Sequence, residues 1–278
     1  MFTIMPSLGR TLLAAAVVTV TATAAAADRL DDIKAAGKVV CATLTTSVPG
    51  GFQDPKSRKI VGFDVDLCAA IAKGLGVEFE HKGVTVDARI PELQLGRVDL
   101  VAAGLGYTKE RAEQIAYTHS HYQHPVRMLV RKGSDYEKLA DLNGKRISAI
   151  RGSTSEMFAR KALPNSEIVT FADSPTSYLA LVQGKTEGVA LTTIGAIRYI
   201  NDPKQDIRVL EEAVGWEPAG VGLKKGEDRL LNAVNKVLEN LEASGELEAI
   251  WQRWYGPDTD FKLPRQKKLT PVAELEAQ

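Results

Sequence analysis

Short apolar runs rich in β-branched residues alternate with segments of helical spacing along most of the chain, and this alternation restricts the fold more than any other feature. The strand-like run 39–44 is followed by the helical pattern of 65–72 and then by Val77-Glu78-Phe79-Glu80. A helix is predicted over 89–94, closed by Gly96, and a buried strand over 98–103. Such alternation specifies an α/β fold.

A first lobe reads to about Val126, and 127–131 is an extended run that we take as a crossover strand. A second set of units follows, with a strand at 145–150, a helix over 176–182 stopped by Gly184, a strand at 188–191 and a helix from Thr193 toward Ile200. A second extended segment, 219–226, precedes helical spacing at 230–241 and 247–251 and returns the chain to the first lobe. Residues 28–128 and 219–278 are thus assigned to lobe 1, and 129–218, with the hinge strands, to lobe 2. Two lobes joined by two crossovers make a cleft, and hinge closure around a ligand is the motion they permit. The tail after Lys262, rich in Lys, Glu and Pro, has no clear period and is expected to be loosely attached.

Residues 1–27 have the grammar of a signal peptide: Arg10, an apolar run at 12–18, and Ala25-Ala26-Ala27 before Asp28. Cleavage is expected after Ala27, leaving a soluble periplasmic protein of about 250 residues, long enough for two cores. The apolar run is too short to span a bilayer stably, and no later segment approaches the ~20 apolar residues a membrane helix requires; an uncleaved anchor is the alternative. The 35 basic and 35 acidic residues balance, which argues against a nucleic-acid partner and points to a small molecule. Two cysteines occur, Cys41 and Cys68. In an oxidising compartment they can form a disulfide, worth about 3 kcal/mol in the chain-entropy picture; the alternative is two buried thiols packing as small hydrophobes.

Among polar residues, Arg111 carries a planar guanidinium able to hold a carboxylate bidentately, although a lone arginine at a helix start is ordinarily a solvated surface charge. Ser153 and Thr154 follow a strand and precede a helical segment, so they offer backbone N–H groups to an anion, or simply cap the helix. Asp64 and Asp66, spaced i, i+2 at a helix start, read as capping and dipole compensation and receive no chemistry. His119, His121 and His124 have no carboxylate or thiol at matching spacing, so no metal is assigned and a solvated or packing role is expected. Trp216, Trp251 and Trp254 are expected to pack in the core or at the hinge.

The runs 60–67, 90–100 and 103–111, followed by Tyr117-Thr118, Tyr122, 139–145 and 152–156, resemble in order the extracellular solute-binding proteins of family 3, the polar amino-acid-binding component of ABC transporters. The resemblance implies a two-lobed, type II periplasmic-binding-protein-like fold with two crossover hinges. It further implies capture of an amino acid or related small carboxylate for import, no cofactor, an ABC permease as partner, and a monomer. Arg111 would grip the ligand's α-carboxylate, Ser153 and Thr154 would close over it, and Arg89 would lie near the ligand side chain. The implied binding set is Arg111, Gly104, Gly106, Ser153, Thr154, Arg89 and Thr192. Thr192 stands where many relatives carry an aspartate for the ligand ammonium, and a neutral hydroxyl does not offset a buried charge. Glu187 would compensate only if the register shifts. Gly106 replaces a common hydroxyl residue, leaving only its backbone N–H, and Ser47, Gly50 and Val86 replace aromatic clamp positions, with Phe52 nearby. The alternatives are a periplasmic enzyme resembling cyclohexadienyl dehydratases, for which only Glu187 or a histidine suggests itself as acid or base, and a ligand sensor.

Overall fold

The computed structural model describes residues 28–276, and the expected signal peptide lies outside them. Asp28 caps α1 (Arg29–Ala36) by accepting the Leu30 N–H, and Gly37, in the left-handed region, stops it. The chain continues through β1 (Lys38–Thr43) and three short strands, β2 (Thr46–Ser47), β3 (Gly51–Gln53) and β4 (Ile60–Val61), which form a small sheet of their own. Then come α2 (Phe63–Leu75), β5 (Glu78–Gly83), α3 (Arg89–Gln94), β6 (Leu100–Val101), α4 (Lys109–Ala112) and β7 (Ile115–Tyr117). Gly62 begins α2 at φ 139°, where a Cβ would come within 2.3 Å of the Gly50 carbonyl oxygen, so only glycine fits there.

The second unit holds β8 (Tyr122–Arg131), β9 (Arg146–Ile150), α5 (Thr154–Ala162), β10 (Glu167–Phe171), α6 (Ser174–Val182), β11 (Gly188–Thr192), α7 (Thr193–Ile200) and β12 (Ile207–Ala219). Side chains cap its three helices. Ser153, Asp173 and Thr192 accept the N–H groups of Glu156, Thr176 and Gly195. β13 (Gly222–Lys224) and the helices α8 (Asp228–Ser244), α9 (Glu246–Tyr255) and α10 (Val272–Glu276) complete the chain. No helix among the described residues is long and apolar enough to cross a membrane.

Two five-stranded mixed sheets result, ordered β5-β1-β6-β13-β7 and β10-β9-β11-β8-β12. In the first, β1 runs parallel to β5 and β6; in the second, β9 runs parallel to β10 and β11. The long strands β8 and β12 pair antiparallel, with Glu217 opposite His124 and Ala219 opposite Tyr122. At its far end β12 reaches the first sheet's unit, where Tyr107 N–H donates to the Pro218 carbonyl at 2.7 Å. The crossover connection is therefore a two-stranded ribbon. β8 begins five residues before the predicted crossover at Arg127.

Each sheet has its own core. Phe63, Leu67, Ile71, Leu238 and Trp251 pack on one face of the first, and Leu93, Leu105 and Ile115 on the other. Met128, Ile147 and Ala190 fill one side of the second, and Leu129, Leu181 and Leu191 the other. Cys41 of β1 and Cys68 of α2 are joined by a disulfide with Cα atoms 6.0 Å apart.

The tail corrects an expectation. Instead of hanging loosely after Lys262, it is tied down: Trp251 Nε1–H donates to the Leu263 carbonyl at 2.8 Å, and Thr270 exchanges backbone hydrogen bonds with Ser120. Arg265 is buried against Glu242 and Glu248, and Leu275 is buried beside Tyr107 and Tyr117. Short apolar anchors at Leu263 and Leu275, spaced too widely for any period, do what a periodic segment would.

Candidate functional site

Helix N-termini and strand ends of the two units meet across a cleft enclosing about 70 Å³. The first unit contributes Ser47, Gly50, Asp64, Val86, Arg89, Gly104 and Tyr255. The second contributes Ser153, Thr154, Ser155, Asp173 and Thr192, and the crossing strands add Tyr122 and Glu217.

Arg89 is 3% exposed, and its guanidinium donates to the carbonyls of Val86, Ala103 and Gly104 and, across the cleft, of Gly152 at 3.2 Å. Burial and the neighbouring Arg111 lower its pKa to about 10, so it stays charged at neutral pH. Arg111 is 5% exposed. It donates to the Gly106 carbonyl at 2.7 Å and to the Gly152 carbonyl at 2.8 Å. One carbonyl of the second unit thus bridges both arginines of the first, a charge-assisted contact across the cleft.

Two buried carboxylates face these cations. Burial pushes Asp64 up to about 7, opposed by Arg89 and by the Gly104 N–H that it accepts. Glu217 is likewise raised to about 7 by burial, opposed by Arg111 and Arg89, and it accepts a hydrogen bond from the Thr154 hydroxyl. Around the N-terminus of α5, the Ser153 hydroxyl is committed to Glu156 N–H and the Ile150 carbonyl. The Ser155 hydroxyl, 1% exposed, has no protein partner among the described residues. A cleft with buried charges of both signs and an open helix N-terminus can hold a small molecule that is itself doubly charged.

Of the residues singled out in the sequence, Arg89, Gly104, Ser153, Thr154 and Thr192 line this cleft, as do Ser47, Gly50 and Val86. Arg111 and Gly106 lie behind it: Arg111 borders a neighbouring groove with Arg89 and Gly152, and Gly106 packs under Glu217. Thr192 is occupied as the cap of α7. Glu187 accepts the Arg146 N–H at 3.0 Å, away from the cleft, and Phe52 stacks edge-on against Trp254. Asp64, given only a capping role, is instead a buried cleft residue, because the Gly62 turn carries it inward. Glu217, Asp173, Ser155 and Tyr255 were not singled out at all. The only available signal for Glu217 was its place just before the returning segment at Ala219.

His121 and His124 are buried in an aromatic cluster with Phe63, Tyr122 and Trp251, which lowers their pKa values to about 3 and about 4. His119 lies near Glu239 at 3.5 Å. Among the described residues no group of three His, Cys, Asp or Glu side chains could hold a metal ion.

Residues 39–257 match the family described as bacterial extracellular solute-binding proteins, family 3. The ABC transporter glutamine-binding protein of Bacillus subtilis is 32% identical over 236 residues, covering 83% of this chain and 86% of the relative. Among solved structures, an ancestral arginine-binding protein bound to arginine superposes with a TM-score of 0.74 at 33% identity, over 79% of this chain and 99% of the other. An ancestral amino acid-binding protein, a precursor of cyclohexadienyl dehydratase, does so with a TM-score of 0.74 at 30% identity, over 81% and 99%. The packed tail lies beyond the matched residues.

Proposed function

The chain belongs to the bacterial extracellular solute-binding proteins of family 3, and on that premise we propose that it is a periplasmic receptor that captures a zwitterionic amino acid by hinge closure and delivers it to an ABC permease. The observation that carries this reading is the gathering of opposite buried charges at one small cleft, lined by Arg89, Asp64 and Glu217 with Arg111 buried behind it. The ligand's carboxylate would lie toward Arg89 and the N-terminus of α5, where the backbone N–H groups of the first turn and the unpartnered Ser155 hydroxyl are on offer. Val86 and Ile194 give its side chain an apolar wall. Closure would be completed by Gly152, whose carbonyl takes a hydrogen bond from each arginine. An exported monomer suits this work, since it must open, diffuse and dock.

Thermal-shift and calorimetric titration of residues 28–278 against amino acids and dicarboxylates tests the proposal. At least one amino acid should raise the melting temperature, and Arg111→Ala should weaken that ligand by about 10- to 100-fold. If no amino acid binds, the reading is wrong.

A dehydratase is the second reading. It is favoured by the two cleft carboxylates with pKa values of about 7, which suit a general acid, and by the likeness to the dehydratase precursor. Turnover of a cyclohexadienyl acid by the purified protein would decide for it.

A further inference from the structure

We infer that Glu217 determines specificity in this cleft: its carboxylate is the group that receives the cationic nitrogen of the ligand. This rests on the amino-acid reading above and assigns a residue to the ligand's positive end, which Thr192 leaves without a counter-charge.

Glu217 projects inward from β12, is 5% exposed and lines the cleft. A carboxylate offers about four acceptor positions. Among the described residues Glu217 accepts one hydrogen bond, from the Thr154 hydroxyl, and makes no ion pair. The two nearby arginines aim their N–H groups at backbone carbonyls instead, Arg89 at those of Ala103 and Gly104 and Arg111 at that of Gly106. Their fields favour the ionised form of Glu217 without using its oxygens. A buried carboxylate so sparsely bonded costs free energy that a primary ammonium, with three donors, would offset.

Of the other acids facing the cleft, Asp173 accepts both the N–H and the hydroxyl of Thr176. Asp64 accepts the Gly104 N–H from within the first turn of α2, in the first unit alone, whereas Glu217 is hydrogen-bonded to Thr154 at the N-terminus of α5. Thr192 carries no charge and caps α7.

Gly106 makes the arrangement sterically possible. A Cβ at that position would stand 2.5 Å from Glu217 Cγ and 2.7 Å from Oε2, so the carboxylate fits only because residue 106 has no side chain. The hydroxyl absent from Gly106 and the acid absent from position 192 are thus matched by one side chain arriving from the ribbon.

Calorimetry with an amino acid that the parent protein binds, and with the same acid lacking its amine, tests the inference. The parent should prefer the amine-bearing ligand. Glu217→Gln should weaken that ligand by about 10- to 100-fold while changing the amine-free acid by no more than about threefold, which erases the preference. Circular dichroism and melting check that the variant is folded. Gly106→Ala, which pushes the carboxylate aside but keeps it, should shift the preference the same way and carries the test if the first variant does not fold. Unchanged or tighter amino-acid binding by Glu217→Gln would make the carboxylate a competitor for the anion site and overturn the inference alone. Absence of amino-acid binding by the parent overturns the functional reading and this inference with it.

Discussion

Glu217 is turned inward from a strand on which its neighbour Trp216 is 54% exposed, and that inversion explains why it was not legible. Alternation rules place a tryptophan inside and a glutamate outside, so residue types at 216–217 point the wrong way unless a polar cleft is already known to lie there. Asp64 poses the same problem, since it is a buried charge that ordinary burial statistics assign to the surface, and Arg89, buried likewise, was placed near the ligand only through the family resemblance. Ser153 and Thr154 were easier, because capping chemistry is local, while Gly104 came only with the resemblance. The buried acid has a consequence in the ligand-free protein. Arg89, Arg111, Tyr117 and Tyr122 surround it electrostatically, yet burial wins and raises its pKa from 4.5 to about 7. An acid whose pKa is higher in the folded state stabilises the fold below its unfolded value and loses that contribution as pH rises through the folded one. Glu217→Gln removes this loss. In the absence of ligand it should therefore be more stable than the parent at pH 8, by up to roughly 3 kcal/mol, and indistinguishable near pH 4. Chemical denaturation at both pH values measures the gap; one that does not change with pH would mean that the carboxylate does not titrate as described.

At the scale of elements, apolar periodicity located α3 and α7 at their observed positions because each is a short run bounded by clear signals. It missed the first half of β8, where Tyr122, Gln123, His124 and Pro125 are all buried but three of the four are not apolar aliphatics. A ribbon buried between two units and a tail reads neither as alternating nor as continuously apolar. The bond between Cys41 and Cys68 links such elements covalently, fastening the interior strand β1 to α2 in the first core. Both residues are fully buried, so reductant reaches the bond through local or global opening rather than from the surface. Reduction under denaturing conditions followed by refolding with thiols blocked, or replacement of both cysteines by alanine, should cost about 3 kcal/mol by the loop-closure argument. Guanidinium unfolding with fluorescence from Trp251, in the same core, reads that loss. Stability unchanged to within a few tenths of a kcal/mol would show that the cross-link contributes only packing.

For the molecule as a whole, the ribbon of β8 and β12 joins the two units, with Ala219 at its end bridged to Gly106, while polar contacts cross the cleft away from it. Gly152 is central to them: its carbonyl accepts from Arg89 and Arg111, and its N–H donates to Glu156 at 2.8 Å. It adopts φ +69° with its missing Cβ directed at Asp87, whose Cα would stand 3.1 Å away. A methyl group there meets backbone of the opposite unit only when the cleft is shut, whereas the strain of the left-handed conformation is present in open and closed forms alike. Gly152→Ala should accordingly lower stability by about 1 kcal/mol and, separately, shift the protein toward the open form. Ligand affinity then falls in proportion to the closed fraction lost, since a ligand that needs closure binds only as tightly as that fraction allows. Small-angle scattering with and without ligand distinguishes the two effects. The variant should show a larger radius of gyration at the ligand concentration that closes the parent, and excess ligand should restore the compact form. A variant that is merely less stable, with the parent's affinity and the parent's compaction, would place the closing contact elsewhere than at this turn.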